Sequence, residues 1–437
     1  MKKFLCIILT VLLLMSLVAC GASEDSGAMN GGSSYGDGLV IDGISGDSAG
    51  KGGIGGWLDG IFGDKDKGEA MPESPSFDSS VDDSMSPSEE PGSTSDKPQS
   101  GAGVLTAGEW KDLDNIDFWK NVLNKNDWYS LMEQRKLFAN NIIHVKVLDN
   151  DKNPCFNIPV ELKDEQGNTI YKSVTDVYGN AYLLYNLTNN NEKPGKIFVR
   201  DIESDPVADG VTTITLDAAS SPQKLDLMFM VDTTGSMGDE LKYLQTELRD
   251  VIRKVSESNK EMSINLSVNF YRDTGDEYVV RNFEFTSDIE KAISDLNNQH
   301  SDGGGDYPEA VHTALKDIVF NHQWRSDSVK LCFMVLDAPP HSEQEIANIN
   351  NDMTSYVKSM SEKGIRFIPL ASSGVNVETE FLLRSWAVMT GGTYTFLTNH
   401  SGIGNDHLEP TIGDYEVEKL NDLMIRVIKE YCGISSK

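Results

Sequence analysis

From Leu225 onward, apolar runs of strand length alternate with stretches of helical period. "LDLMFMVD" (225–232), "VKLCFMVLD" (329–337) and "IRFIPLAS" (365–372) are apolar at most positions, as expected of strands covered on both faces. After the first of them, Leu241, Leu244, Leu248, Val251, Ile252 and Val255 fall on one helical stripe. "SINLSVNFYRD", "YVVRNFEF" and "TYTFLT" read as further strands. Helices are expected in "DIEKAISDLNN", "PEAVHTALKDIVF", "SEQEIANINNDMTSYVKSMSEKG", through "EFLLRSWAVMT", and in "YEVEKLNDLMIRVIKEY". The alternation predicts a doubly wound α/β domain with a mostly parallel sheet over residues 224–434.

Upstream the period changes. Residues 141–220 hold six short alternating runs, from "IIHVKVLD" to "VTTITLD", separated by turn residues such as Asp164-Glu165-Gln166-Gly167. They predict a small antiparallel β-sandwich. The line "VKVLDNDKNPCFNIPVELKDEQGNTIYKSVTDVYGNAYL" resembles immunoglobulin-like or carboxypeptidase-regulatory-like sandwiches, which implies a spacer or presentation module. Residues 105–140 are rich in aromatics (Trp110, Phe118, Trp119, Trp128, Tyr129) and are expected to form a short helical element packed on the next domain. Residues 21–104 are Gly-, Ser-, Asp- and Pro-rich and read as a disordered tether, interrupted by an apolar island from Ile54 to Asp64.

Composition narrows the function classes. The chain has 437 residues and a formal net charge of -30, without a basic face for phosphate, so nucleic acid is not an expected partner. Lys2 and Lys3 precede an apolar run that ends at Cys20, the pattern of a secretory signal over residues 1–20. Leu17-Val18-Ala19-Cys20 resembles a bacterial lipobox. That resemblance implies cleavage before Cys20, lipid on its thiol, and anchoring on the extracytoplasmic face of a bacterial cell membrane. Cys155, Cys332 and Cys432 are widely spaced, and Cys332 reads as a small buried hydrophobe.

Candidate chemistry gathers at the strand ends. Asp232 closes the first apolar run, with Thr234 and Ser236 two and four residues on. "FYRDTGDE" contributes Asp273 and Asp276, "SDGGGDYPEA" adds Asp302, Asp306 and Glu309, and "VLDAPPH" adds Asp337. Arg272 is the one basic residue in these four segments. In doubly wound sheets ligands sit at the carboxyl ends of strands, and converging hard oxygen ligands suit Mg²⁺.

Asp232-Thr233-Thr234-Gly235-Ser236 resembles the DxSxS motif of von Willebrand factor A domains, with Thr in place of the first Ser. The resemblance spans about residues 224–434 and implies a Rossmann-like fold with a metal-ion-dependent adhesion site. Asp232, Thr234 and Ser236 would come from the first loop, Asp306 or Glu309 from the middle loop and Asp337 from the third, around Mg²⁺ or Mn²⁺. Asp239 and Glu240 stand where integrin β subunits carry acids for an adjacent ion, which implies a candidate second site for Ca²⁺. Asp273 and "DYPE" are similar to parts of a third site, although Gly304 stands where that family's Asn ligand is expected. The implied activity is binding: a protein ligand presenting Asp or Glu completes the ion's coordination, in adhesion or in an envelope assembly or signalling scaffold.

An enzyme is not expected. Thr234 stands where a nucleophile elbow needs Gly, the seven histidines show no HExxH spacing, and Gly303-Gly304-Gly305 lacks the Lys of a phosphate loop. A metal-dependent hydrolase, with His341 as a candidate base, is the remaining catalytic alternative.

Overall fold

The computed structural model describes residues 102–258 and 262–434. The signal segment, Cys20, nearly all of the expected tether and the Ile54–Asp64 island lie outside the described residues.

The chain enters with a strand, β1 (Thr106–Trp110), then two short helices, α1 (Ile116–Leu123) and α2 (Asn126–Arg135). Seven strands follow: β2 (Ile142–Asp149), β3 (Pro159–Lys163), β4 (Thr169–Val174), β5 (Asn180–Leu184), β6 (Lys196–Val199), β7 (Ile202–Ser204) and β8 (Val211–Leu216). They form a three-stranded sheet ordered β5-β2-β8 and a four-stranded sheet ordered β4-β3-β6-β7. Expectation and structure differ in one pairing here: β2 and β8 run parallel, from His144 opposite Val211 to Asp149 opposite Leu216.

The second half is the α/β unit. It runs β9 (Lys224–Asp232), α3 (Leu241–Ser258), β10 (Ser263–Tyr271), β11 (Val280–Arg281), α4 (Ile289–Asn297), α5 (Val311–Phe320) and β12 (Val329–Leu336). Then come α6 (Ile349–Lys363), β13 (Ile365–Ala371), α7 (Val377–Thr390), β14 (Tyr394–Leu397), β15 (Glu418–Lys419) and α8 (Leu420–Tyr431). The sheet order is β11-β10-β9-β12-β13-β14-β1-β15. The five inner strands from β10 to β14 are parallel, while β11, β1 and β15 are antiparallel to neighbours. Alternate residues of β9 face two cores. Leu227, Phe229 and Val231 meet α3, α4 and α8, whereas Met228 and Met230 belong to the core that includes α5, α6, α7 and the sandwich. Burial on both faces explains the unbroken apolar runs.

Several local expectations shift for identifiable reasons. "YVVRNFEF" pairs only at Val280 and Arg281, because side chains of β10 intercept the continuation: Asn269 Oδ1 accepts from Phe283 N, and Ser267 Oγ donates to Phe283 O. The helix expected from Ser342 begins at Ile349, after Asn348 turns left-handed at φ 65° with Glu343 accepting its N–H. The helix expected from Pro308 begins at Val311, after Ala310 takes a non-helical backbone at φ -75°, ψ 42°, while the Glu309 N–H bonds Pro339 O. The segment 105–140, expected to be helical, opens with β1 inside the main sheet.

Candidate metal centre

Asp232 and Asp337 stand at the carboxyl ends of two adjacent parallel strands, β9 and β12. β9 is also where the strand order reverses, since the chain leaves it for β10 on one side and returns as β12 on the other. Such a switch point opens a crevice for ligands.

The first loop folds around Asp232. Oδ1 of this buried residue accepts from Thr234 N at 2.9 Å and from Thr234 Oγ1 at 2.7 Å, and Thr234 Oγ1 lies 3.1 Å from Ser236 Oγ. Asp232 Oδ2 is buried and makes no well-formed hydrogen bond, with the buried Tyr271 hydroxyl beside the same carboxylate. Ser236 is exposed and sits against Asp337.

The middle loop is threaded between its neighbours by backbone bonds. Asp302 N bonds Thr233 O, Gly235 N bonds Gly303 O, and Glu309 N bonds Pro339 O. Asp276 Oδ2 accepts from both Asp273 N and Gly304 N, at 3.0 and 2.9 Å. Gly304 has φ +72°, and a Cβ there would stand 3.1 Å from Glu309 Oε1, so a bare backbone lets the loop close over the acids.

Three carboxyl groups therefore converge in a dry place. Burial raises Asp232 to about 6, Asp337 to about 7 and Glu309 to about 9, and neighbouring carboxylates add to each shift: Asp273 at Asp232, Asp232 and Glu240 at Asp337, and Asp232, Asp273 and Asp337 at Glu309. Asp337 Oδ1 and Glu309 Oε2 are, like Asp232 Oδ2, buried without a well-formed hydrogen bond. Arg272 directs Nε to Thr233 O and Nη2 to His300 O, beneath the loop. Unpaired buried carboxylate oxygens are costly, and a divalent cation is the group that satisfies such a set.

The structure separates residues that the sequence grouped. Glu309, not Asp306, joins the Asp232–Asp337 cluster; Asp306 is exposed and falls beside His341 and Glu345. Asp273 is 6% exposed and its Oδ1 is bonded to His341 Nε2 at 2.8 Å. Asp239 and Glu240 occupy different environments. Asp239 is exposed, whereas Glu240 is buried with Oε1 3.3 Å from Ser373 N and 3.2 Å from His407 Nε2. Sequence reasoning missed Glu345 and His407, which lie far along the chain from the acids they approach and belong to no short motif.

Comparison with known proteins agrees with this architecture. A stretch of 120 residues, 27% of this chain, is 33% identical to the putative ariadne-like RING finger protein R811 of Acanthamoeba polyphaga mimivirus. A stretch of 137 residues, 30% of the chain, is 27% identical to the alpha-protein kinase vwkA of Dictyostelium discoideum. These matches span only 11% and 21% of the relatives' own lengths. The family match is to the von Willebrand factor A domain, and residues 226–368 of this chain contain one.

Proposed function

We propose that this protein is a lipid-anchored binding protein whose A domain captures a protein ligand through a divalent cation. A von Willebrand factor A domain is in general a module of protein–protein interaction or adhesion. The observation that carries the metal-dependent reading is the trio of buried carboxylate oxygens without a well-formed hydrogen bond, on Asp232 and Asp337 at the carboxyl ends of adjacent strands and on Glu309 in the middle loop, beside two hydroxyls.

Asp232 Oδ2, Ser236 Oγ, Glu309 Oε2 and Asp337 Oδ1 are the atoms that would hold Mg²⁺ or Mn²⁺, with Thr234 bracing Asp232. The ion supplies a Lewis-acid position for an Asp or Glu carboxylate of the partner. The protein's residues gather the negative charge, exclude water from one side and leave the Ser236 side open to the ligand. In this reading Cys20 carries lipid, and the chain acts at the extracytoplasmic face of a bacterial membrane. The activity is binding without turnover, serving adhesion or the assembly of an envelope complex.

The test is calorimetric titration of Mg²⁺ into chelator-stripped protein, followed by capture from envelope extracts in Mg²⁺, in EDTA and with Asp337→Ala. Saturable binding, and a partner lost in both EDTA and the variant, support the reading. A partner retained in all three conditions would place recognition elsewhere.

A further inference from the structure

A second group of ligand-type side chains lies beside the carboxylate cluster. Asp306, His341 and Glu345 each bring one ligand atom to within 4.8 Å of the others. His341 is only 9% exposed. Its Nε2 lies 2.8 Å from Asp273 Oδ1. A carboxylate accepts, so Nε2 carries the proton of that bond, and Nδ1 is the nitrogen whose lone pair is free whenever the ring is neutral. Nδ1 sits 3.6 Å from Glu345 Oε2, an ion-pair distance when the ring is protonated. A largely buried imidazole thus presents its second nitrogen toward exposed carboxylates.

The surroundings are built to keep that presentation. Arg135, itself buried, donates from Nη1 to His341 O at 2.8 Å and from Nη2 to Pro340 O at 3.0 Å, fixing the backbone behind the ring. Glu345 Oε2, the oxygen facing Nδ1, accepts from Ser342 N and Ser342 Oγ, at 2.6 and 2.7 Å. An Asp–His pair whose outer nitrogen faces further acids is the arrangement that orients imidazole toward a metal ion and raises its basicity.

We propose that Asp306, His341 and Glu345 form a transition-metal site of the Zn²⁺ class, with Asp273 as the positioning residue. One nitrogen and two carboxylate oxygens favour Zn²⁺ over Mg²⁺ or Ca²⁺, and three protein ligands leave a position for solvent or a partner group. Both acids are exposed, so their side chains can rotate inward to meet bonds of about 2.0–2.2 Å. The site is independent of the Mg²⁺ reading, because it uses none of Asp232, Glu309 or Asp337.

The experiment uses tag-free full chain, stripped with chelator and held in saturating Mg²⁺, titrated with Zn²⁺ against a chromogenic zinc chelator. Absorption of bound Co²⁺ serves as a second readout. Wild type is expected to bind one Zn²⁺ above the level of His341→Gln. Asp306→Asn and Glu345→Gln, both surface changes, should each weaken zinc by at least about tenfold. Asp337→Ala should abolish Mg²⁺ binding and leave zinc affinity unchanged, so the two sites fail separately. Zinc affinity that is absent in Mg²⁺, or identical in wild type, Asp306→Asn and Glu345→Gln, would overturn the proposal and leave His341 as an ion-pair partner of Asp273.

Discussion

Arg384 and Asp112 are joined through two arms of the guanidinium: Nε reaches Oδ2 at 2.9 Å and Nη2 reaches Oδ1 at 2.7 Å, with both side chains buried. The remaining arm donates to Glu380 Oε1 and Thr411 O, and the cation lies 5.1 Å from the ring centroids of both Trp119 and Trp128. Asp112 follows β1 and Arg384 sits on α7, so the aromatic segment is bolted to the α/β unit. Asp112→Ala strands part of a buried cation and should cost about 3–5 kcal/mol. Urea denaturation reads this as a lower midpoint at unchanged slope. An unchanged midpoint would mean that the segment is held by its aromatic packing alone.

The sandwich and the α/β unit should unfold together. Tyr171 donates to Met389 O at 2.6 Å, and Arg366 joins Thr390 O to Val174 O with bonds of 2.6 Å each. Apolar residues of both halves belong to one continuous core. Scanning calorimetry of the chain should therefore show a single transition, and residues 141–220 expressed alone should not give a cooperative one. Two resolved transitions would show that the modules are energetically separate.

Without metal, stability should fall as pH rises. Asp232, Asp337 and Glu309 have folded-state values raised to about 6, 7 and 9, above those of an unfolded chain. The folded state therefore binds more protons than the unfolded one between about pH 4 and 9, and stability drops across that window. Melting temperatures of chelator-stripped protein should decline from pH 5 to pH 9, and Mg²⁺ should raise them at high pH far more than at low pH. A Mg²⁺ effect equal at both ends would argue against these carboxylates as the ligands.

Gly303→Ala should loosen the middle loop. Gly303 has φ +76°, and a Cβ there would stand 2.4 Å from the Asp276 carboxylate that holds Asp273 N and Gly304 N. The left-handed backbone alone adds about 1–2 kcal/mol. Mg²⁺ affinity should fall together with stability, whereas Gly275→Ala, where φ is +99° but the space is open, should lower stability without changing Mg²⁺ affinity. Equal loss of affinity in both variants would remove the loop-closure argument.

Much of the architecture was legible because burial leaves a local trace. "LDLMFMVD" had to be covered on both faces, and the stripe from Leu241 to Val255 had to face a core; both are fully in the interior. Cys332 is buried as a small hydrophobe, and Cys155, Cys332 and Cys432 are all free thiols. Asp232, Thr234 and Ser236 were legible as a unit because a turn of five residues brings them together. Asp306 and Glu309 could not be told apart in the same way. They lie three residues apart in one loop, and the bond from Glu309 N to Pro339 O is what directs Glu309 inward.

The sequence by itself determined which apolar runs and stripes are buried, which strand ends carry acid and hydroxyl groups, and that strands alternate with helices, since all of these follow from side-chain chemistry at short range. Tertiary structure alone decided the partners. β1 pairs with β14, with Ala107 opposite Leu397, and β2 pairs in parallel with β8, because a backbone edge bonds whichever strand the fold brings alongside. It likewise placed His341 on Asp273, 68 residues apart, and so divided one run of loop acids into a carboxylate cluster and a histidine-centred group. Period reports the face a residue shows; the partner across that face depends on contacts between distant segments that no local pattern specifies.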